Sequence, residues 1–281
     1  MEGIKNLEYY LKDFSLRENS DDKIVSLMEP YFLSKKRTYE QIDELKKYPD
    51  ATEVWISKLT QETFEYFIEN YGQQFKVIHF ISCPLISDFT KLEQLTNIEY
   101  LIFFWNQRAT HLWNLSKNHC LKGISFDDFT RMHTLVEIPL APALEELYFG
   151  NAVWNTYILS SLKPLSQAIN LKTLVFSAKK IDDNDITPLA EIRNLEKLEF
   201  TTNLFSTEQV AWLTAKKNNI KSSVLAPYKK IEDSIEYNGK NLDILVIGKR
   251  KPFLDSKKDR KRLEKYEREF IDLVNNYREK E

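Results

Sequence analysis

The sequence predicts an α/β solenoid. Short strands stack into a curved parallel sheet, helices or helical turns close the convex side, and a helical N-terminal cap and a C-terminal helix flank it. Three observations predict this. A six-residue pattern with apolar residues at positions 1, 4 and 6 recurs along most of the chain, the first fifty residues break the pattern with helical spacing, and the last thirty carry an amphipathic helical stripe.

The strong copies are FKVIHF from Phe75, IEYLIF from Ile98, LKGISF from Leu121, LEELYF from Leu144, LKTLVF from Leu171 and LEKLEF from Leu195. Weaker copies are ATEVWI from Ala51, IKSSVL from Ile220 and LDILVI from Leu242. Successive first positions are 22 to 27 residues apart. Side chains alternate faces along a strand, so positions 4 and 6 share one face and position 1 packs where the strand begins. A second apolar set follows each strand. Ile181, Ile186, Leu189 and Ile192 follow one copy, and Phe205, Val210 and Leu213 the next. A helical turn there closes each coil, and stacking buries what one copy cannot bury alone.

The recurrence resembles the leucine-rich-repeat pattern LxxLxLxxNxI over about 51–248. The resemblance implies an Asn or Cys ladder at position 9. Cys83, Asn106 and Asn203 match it, whereas Phe129, Ala152, Lys179 and Tyr228 do not. An incomplete ladder implies irregular repeats and uneven curvature. The segment WNQRATHLWNLSKNHCL, Trp105 to Leu121, also resembles bacterial cytosolic leucine-rich-repeat proteins of unassigned function.

The expected organisation is a helical N-terminal cap over 1–50, the solenoid over 51–248, and a basic then amphipathic C-terminal helix over 249–281. Ile4, Leu7, Leu11 and Phe14 have helical spacing, Ser15 to Asp22 forms a polar link, and a second helix is expected over Lys23 to Met28, stopping near Pro30. Thr38 with Gln41 forms a capping-box pattern that opens another helix before Pro49. Leu263, Tyr266, Phe270, Leu273 and Tyr277 line one face of a helix from Asp259 to about Arg278. That helix either folds back as a C-terminal cap or pairs with a partner helix or its own copy.

Composition narrows the function. A net charge of -2 gives no global attraction to nucleic acid or anionic membrane. No run of some 18 apolar residues is present, and the first residues lack the layout of a secretory signal, so a cytoplasmic protein is expected. Cys83 and Cys120 are expected as buried thiols. Gly-rich phosphate loops, nucleophile elbows, zinc motifs and CxxC pairs are absent from the sequence. His119, Cys120 and His133 fall in different parts of two copies, and Asp182, Asp183 and Asp185 lack the glycine and terminal glutamate of an EF-hand loop. The expectation is therefore no enzyme, no metal and no cofactor.

The candidate site lies on the concave face. Positions 3, 5 and 7 point away from the core, and position 8 ends the strand. Neighbouring ribs stand about 5 Å apart, so Trp55, His79, Tyr100, Ile102, Phe104, Trp105 and Tyr148 fall on one surface with Asp127 and Asp128 at its rim. Phe104 cannot point inward if Phe103 does. Exposed aromatic anchors with a polar border are the makeup of a protein-binding hot spot. The expected function is recognition of a protein partner by a non-enzymatic module, with homodimerisation through the patch as one form of it. An immunity-type or regulatory inhibitor is a related alternative. Burial of the patch under the N-terminal helices is the structural one. An enzyme using His79 with nearby carboxylates, and a weak nucleic-acid binder using the basic run Lys249 to Arg262, complete the alternatives.

Overall fold

The computed structural model describes residues 5–13, 23–28, 35–151, 154, 156–217 and 219–280. Ile4, Phe14, the polar link 15–22, Pro30 and Ala152 lie outside the described residues.

The chain begins with a short helix α1 (Leu7–Tyr10) capped by Asn6, whose side chain accepts from the Tyr9 N–H. The segment Lys23 to Met28, expected as a helix, instead contains strand β1 (Ile24–Leu27), which pairs in parallel with β2 (Glu53–Ser57). Four residues of IVSL supply two β-branched side chains, and the sheet edge supplies hydrogen-bond partners that an isolated turn of helix lacks. Between them lies α2 (Tyr39–Ile42), which opens with the expected reciprocal capping box of Thr38 and Gln41.

The repeats then follow as strand and closing turn. The first closing turn is α3 (Gln61–Asn70). The next rungs are β3 (Val77–Ile81), β4 (Tyr100–Asn106), β5 (Gly123–Phe129) and β6 (Glu146–Gly150), separated by short 3-10 turns. Strand β7 (Ile158–Leu159) pairs outside the main sheet with β9 (Lys180–Ile181), on either side of the rung β8 (Thr173–Ser177). Helix α4 (Pro188–Glu191) leads to the last rung, β10 (Lys197–Phe200), and helix α5 (Thr207–Lys216) closes it. Among the described residues, one eight-stranded sheet runs in the order β1-β2-β3-β4-β5-β6-β8-β10. The register is constant, so Trp55, His79, Ile102, Ser125, Tyr148, Val175 and Glu199 stand side by side.

Positions 4 and 6 are buried in every rung from Val54 and Ile56 to Leu198 and Phe200. The position-6 rings stack along the solenoid. Phe80 lies 5.1 Å from Phe103, Phe126 5.5 Å from Phe149, Phe149 5.2 Å from Phe176, and Phe176 5.7 Å from Phe200. The second apolar set, Ile181 to Leu213, is buried as its spacing implies, and so are Trp113 and Leu115.

The ladder is as irregular as the sequence suggests. Asn106 is buried and satisfied on both sides. Its amide donates to the carbonyls of Cys83 and Ile86 at 3.1 and 2.8 Å, and its oxygen accepts from the N–H groups of Arg108 and Ala109 at 3.0 and 2.8 Å. Phe129 replaces this bonding by packing on Phe103 and Phe126. Asn203 is exposed and is not a ladder residue. A second buried asparagine, Asn118, ties the convex turn to the Leu92 and Leu95 carbonyls and accepts from the Trp113 indole.

The weak copies at Ile220 and Leu242 are not full rungs. The first makes a single bridge, Lys197 to Lys221. The second belongs to an antiparallel sheet of β11 (Tyr228–Tyr237), β12 (Lys240–Val246) and β13 (Phe253–Leu254). There Ile244 and Val246 are buried while Leu242 and Leu245, positions 1 and 4 of the copy, are partly exposed; Ile247, its position 6, is buried in the solenoid core. The last helix, α6 (Arg260–Arg278), folds back on the chain. Phe270 and Val274 join the solenoid core, and Leu263 packs with Ile244, Val246 and Leu254.

Candidate functional site

Two features of the strand ends shape the concave face. Position 8 adopts a left-handed backbone in four consecutive rungs, at Lys58 (φ 62°), Ser82 (52°), Trp105 (64°) and Asp128 (58°). This turn follows the last residue of β2 and of β3 and falls one residue before the end of β4 and of β5. The next rung turns at Gly150, φ 123°, where an added Cβ would lie 1.9 Å from the Ser177 carbonyl oxygen. A left-handed conformation is uncommon for a residue as bulky as tryptophan, so the repeat holds the Trp105 ring at the strand's end against its local preference. The Lys58 ammonium stands 5.6 Å from the centre of that ring.

The expected site residues divide by exposure. Phe104 is 40% exposed while its neighbour Phe103 is buried at 3%, as alternation requires. Trp55, Trp105, Asp127, Asp128 and Tyr148 are half-buried. His79, Tyr100 and Ile102 are buried, contrary to the expectation of an open patch. His79 has no exposed surface because the Trp55 ring lies over it, 3.9 Å between centroids and 12° from parallel. Glu53 serves both residues. One of its oxygens accepts from the Trp55 indole at 2.9 Å and lies 3.0 Å from His79 Nε2. A histidine covered this way contributes to the packing of the face. Asp128 is bonded to the Asn151 amide at 2.8 Å, and the backbone N–H of Asp128 donates to Asp127.

Tyr100 and Ile102 are covered by α1. Leu7 and Tyr10 form a small cluster with Val77, Tyr100 and Ile102, separate from the main core. The Tyr10 ring rests 4.7 Å from the Tyr100 ring. Gly123, at position 3 of β5, makes the room, since a Cβ there would lie 2.6 Å from the Tyr100 ring and 3.5 Å from Leu7. The Leu7 N–H donates to the Glu146 carboxylate at 3.1 Å, the Tyr100 hydroxyl donates to the Lys5 carbonyl at 3.2 Å, and Lys197 pairs with Glu8 at 2.7 Å. Burial raises the Glu146 pKa, whereas the Lys197 hydrogen bond lowers that of Glu8. Burial also pushes the Tyr100 hydroxyl well above the usual phenol range.

Beside α1 the concave face opens into a cavity of about 340 Å³, within the size range of ligand pockets. Its walls are mainly apolar, from Trp55, Ile81, Ile102, Phe104, Tyr148 and Val175, with Tyr10 and Leu11 on the α1 side and His79, Ser125, Asp127 and Ser177 as the polar residues. The N-terminal coverage of Tyr100 and the part of Glu53 in fixing Trp55 were not evident from repeat spacing. Gly123 was the available signal, as a glycine inside a strand marks a close approach.

Other chemistry finds little support in the geometry. Among the described residues, no group of three or more His, Cys, Asp or Glu is placed to hold a metal ion. Cys83 is buried, and desolvation raises its thiol to about 12, but Cys120 is exposed rather than buried. The basic run near the C-terminus is largely engaged within the chain. Lys249 bonds Asn184, Lys251 lies over Tyr266, Arg260 pairs with Glu264, and Arg262 pairs with Asp259. Among the described residues, no helix is long and apolar enough to cross a membrane.

The parallel ladder, the core at positions 1, 4 and 6 and the turn at position 8 define a leucine-rich-repeat solenoid. No family model and no curated protein matches the chain. Solved structures of bacterial leucine-rich-repeat proteins do. An internalin (inlF) from Listeria monocytogenes is 14% identical with a TM-score of 0.45, over 63% of this chain and 48% of that one. An internalin C2 from the same species is 19% identical with a TM-score of 0.41, over 64% of this chain and 72% of that one. A leucine-rich-repeat protein of Leptospira interrogans is 15% identical with a TM-score of 0.42, over 67% of this chain and 51% of that one. This chain thus spans about half the length of the first of these.

Proposed function

We propose that the chain is a non-enzymatic protein-binding module whose concave face receives a protein partner. The observation that carries this reading is the pairing of Phe104, 40% exposed and bordering the 340 Å³ apolar cavity, with the half-buried Trp105 next to it near the end of β4. Aromatic side chains that project beside an apolar recess, with Asp127 and Asp128 next to them, match the composition of interaction hot spots. The sealed position of His79 argues against the catalytic alternative. The internal pairing of the C-terminal basic run argues against the nucleic-acid alternative. The two free cysteines fit a reducing compartment such as the cytoplasm.

The test is affinity capture from a native-source lysate by wild type and by a Phe104→Asp/Trp105→Asp variant, followed by binding of the purified captured protein to both. Each lost anchor is expected to weaken binding by about 2 kcal/mol or more. Equal affinity of both forms for the purified partner overturns the assignment.

A further inference from the structure

The proposed partner surface already has an occupant. α1 is joined to the solenoid by contacts of four kinds: the apolar seat of Leu7 over Gly123, the Tyr10 ring on Tyr100, the Leu7 N–H on Glu146, and the Glu8 carboxylate on Lys197. Register sets the first three side by side, since Tyr100, Gly123 and Glu146 are direct neighbours across β4, β5 and β6. The seat is shaped for this occupant. A glycine leaves space for an aliphatic side chain, a tyrosine on one side packs against an aromatic ring, and a carboxylate on the other receives a helix's free N–H. A lysine two rungs further, in register with Thr173 and so with Glu146, receives an acid. The α1 cluster is separate from the main solenoid core, so removing the segment opens the face without breaking the stack.

We propose that α1 holds in cis the seat that a partner's docking segment takes in trans. Resting on the protein-binding reading above, this names the partner's chemistry. The docking segment is a short helical turn with an aliphatic residue, a carboxylate directly after it and an aromatic ring three positions after it, the pattern of Leu7, Glu8 and Tyr10. Its binding displaces α1 and joins the seat on Tyr100 and Gly123 to the cavity bounded by Tyr10, Leu11 and Phe104.

The experiment uses the full chain and a labelled synthetic peptide of residues 5–13, KNLEYYLKD, as probe. A Leu7→Asp/Tyr10→Asp variant of the full chain releases its own α1, and its fold is checked by circular dichroism. The peptide is expected to bind this variant about tenfold or more tightly than wild type, whose tethered segment competes at high effective concentration. A Lys197→Glu substitution added to the released variant is expected to abolish that binding, and a peptide carrying Glu8→Lys to restore it. The released variant is also expected to bind the purified captured partner about tenfold or more tightly than wild type, and equal partner binding by the two overturns the proposal and leaves α1 as a cap. No saturable binding to the released variant, or equal binding to the released variant and wild type, overturns the proposal and leaves α1 as a cap. Loss of partner capture in the Phe104→Asp/Trp105→Asp variant is scored independently, so a seat that fails leaves the wider reading standing.

Discussion

The Tyr10 ring lies 4.7 Å from the Tyr100 ring, tilted by 42°. One residue belongs to the first helix and the other to the fourth strand, so the contact ties the N-terminal segment to the middle of the concave sheet. It divides the aromatic face in two. Tyr100, Ile102 and His79 are sealed, while Phe104 and Trp105 remain at the surface.

The inside–outside register of β4 and β5 is open to a direct comparison. Phe126→Ala removes a fully buried ring stacked on Phe149 and is expected to cost about 3–5 kcal/mol. Phe104→Ala, at a 40% exposed position, is expected to change stability by less than about 1 kcal/mol. Urea denaturation of both variants checks the pair.

Trp105 separates binding from stability. It holds a left-handed backbone, φ 64°, that asparagine or glycine adopts at lower cost, and its ring gains from Lys58. These effects oppose one another. Trp105→Asn is therefore expected to shift stability by less than about 1 kcal/mol while weakening partner binding by tenfold or more, on the order of a hot-spot loss. Thermal melting and titration calorimetry measure the two effects.

Glu146 gives the fold a pH signature. Burial raises its pKa in the folded chain, so the folded state holds the proton more tightly than the unfolded one. Stability from this group is present below the unfolded value of 4.5 and is lost as pH rises through the raised folded value. Glu146→Gln keeps an oxygen for the Leu7 N–H and removes the titration. Denaturation midpoints measured from pH 4 upward are expected to fall less steeply in the variant than in wild type.

The cysteines react unequally. Cys120 is exposed, and Cys83 is buried with its thiol raised to about 12. One of the two is expected to react with an aromatic disulfide reagent in the native protein, and both after denaturation. Two fast thiols in the native state contradict the burial of Cys83.

The repeat was legible because its signal is periodic. Each rung from Ala51 to Phe200 puts its inward residues where alternation and stacking require, and Phe103 inward forces Phe104 outward. Three things were not legible. The rung at Val25 and Leu27 has Asp22 where the pattern calls for an apolar residue, so only pairing with β2 shows it. The copy at Leu242 fits the letters of the pattern but sits in an antiparallel sheet, where the phase of burial is set by packing on Leu254 and Leu263. The sealing of Tyr100 and His79 depends on α1 and on the lean of the Trp55 ring, which are tertiary relations between distant or neighbouring rungs that no window of sequence contains.

The most direct measurement is site-specific photo-crosslinking with the purified captured partner. One form of the protein carries a benzophenone side chain in place of Phe104, and another in place of Val136, which is 55% exposed in the turn after β5. The expected result is a covalent adduct from position 104 and none from position 136. An adduct from position 136 with none from position 104 contradicts the concave aromatic face as the binding surface.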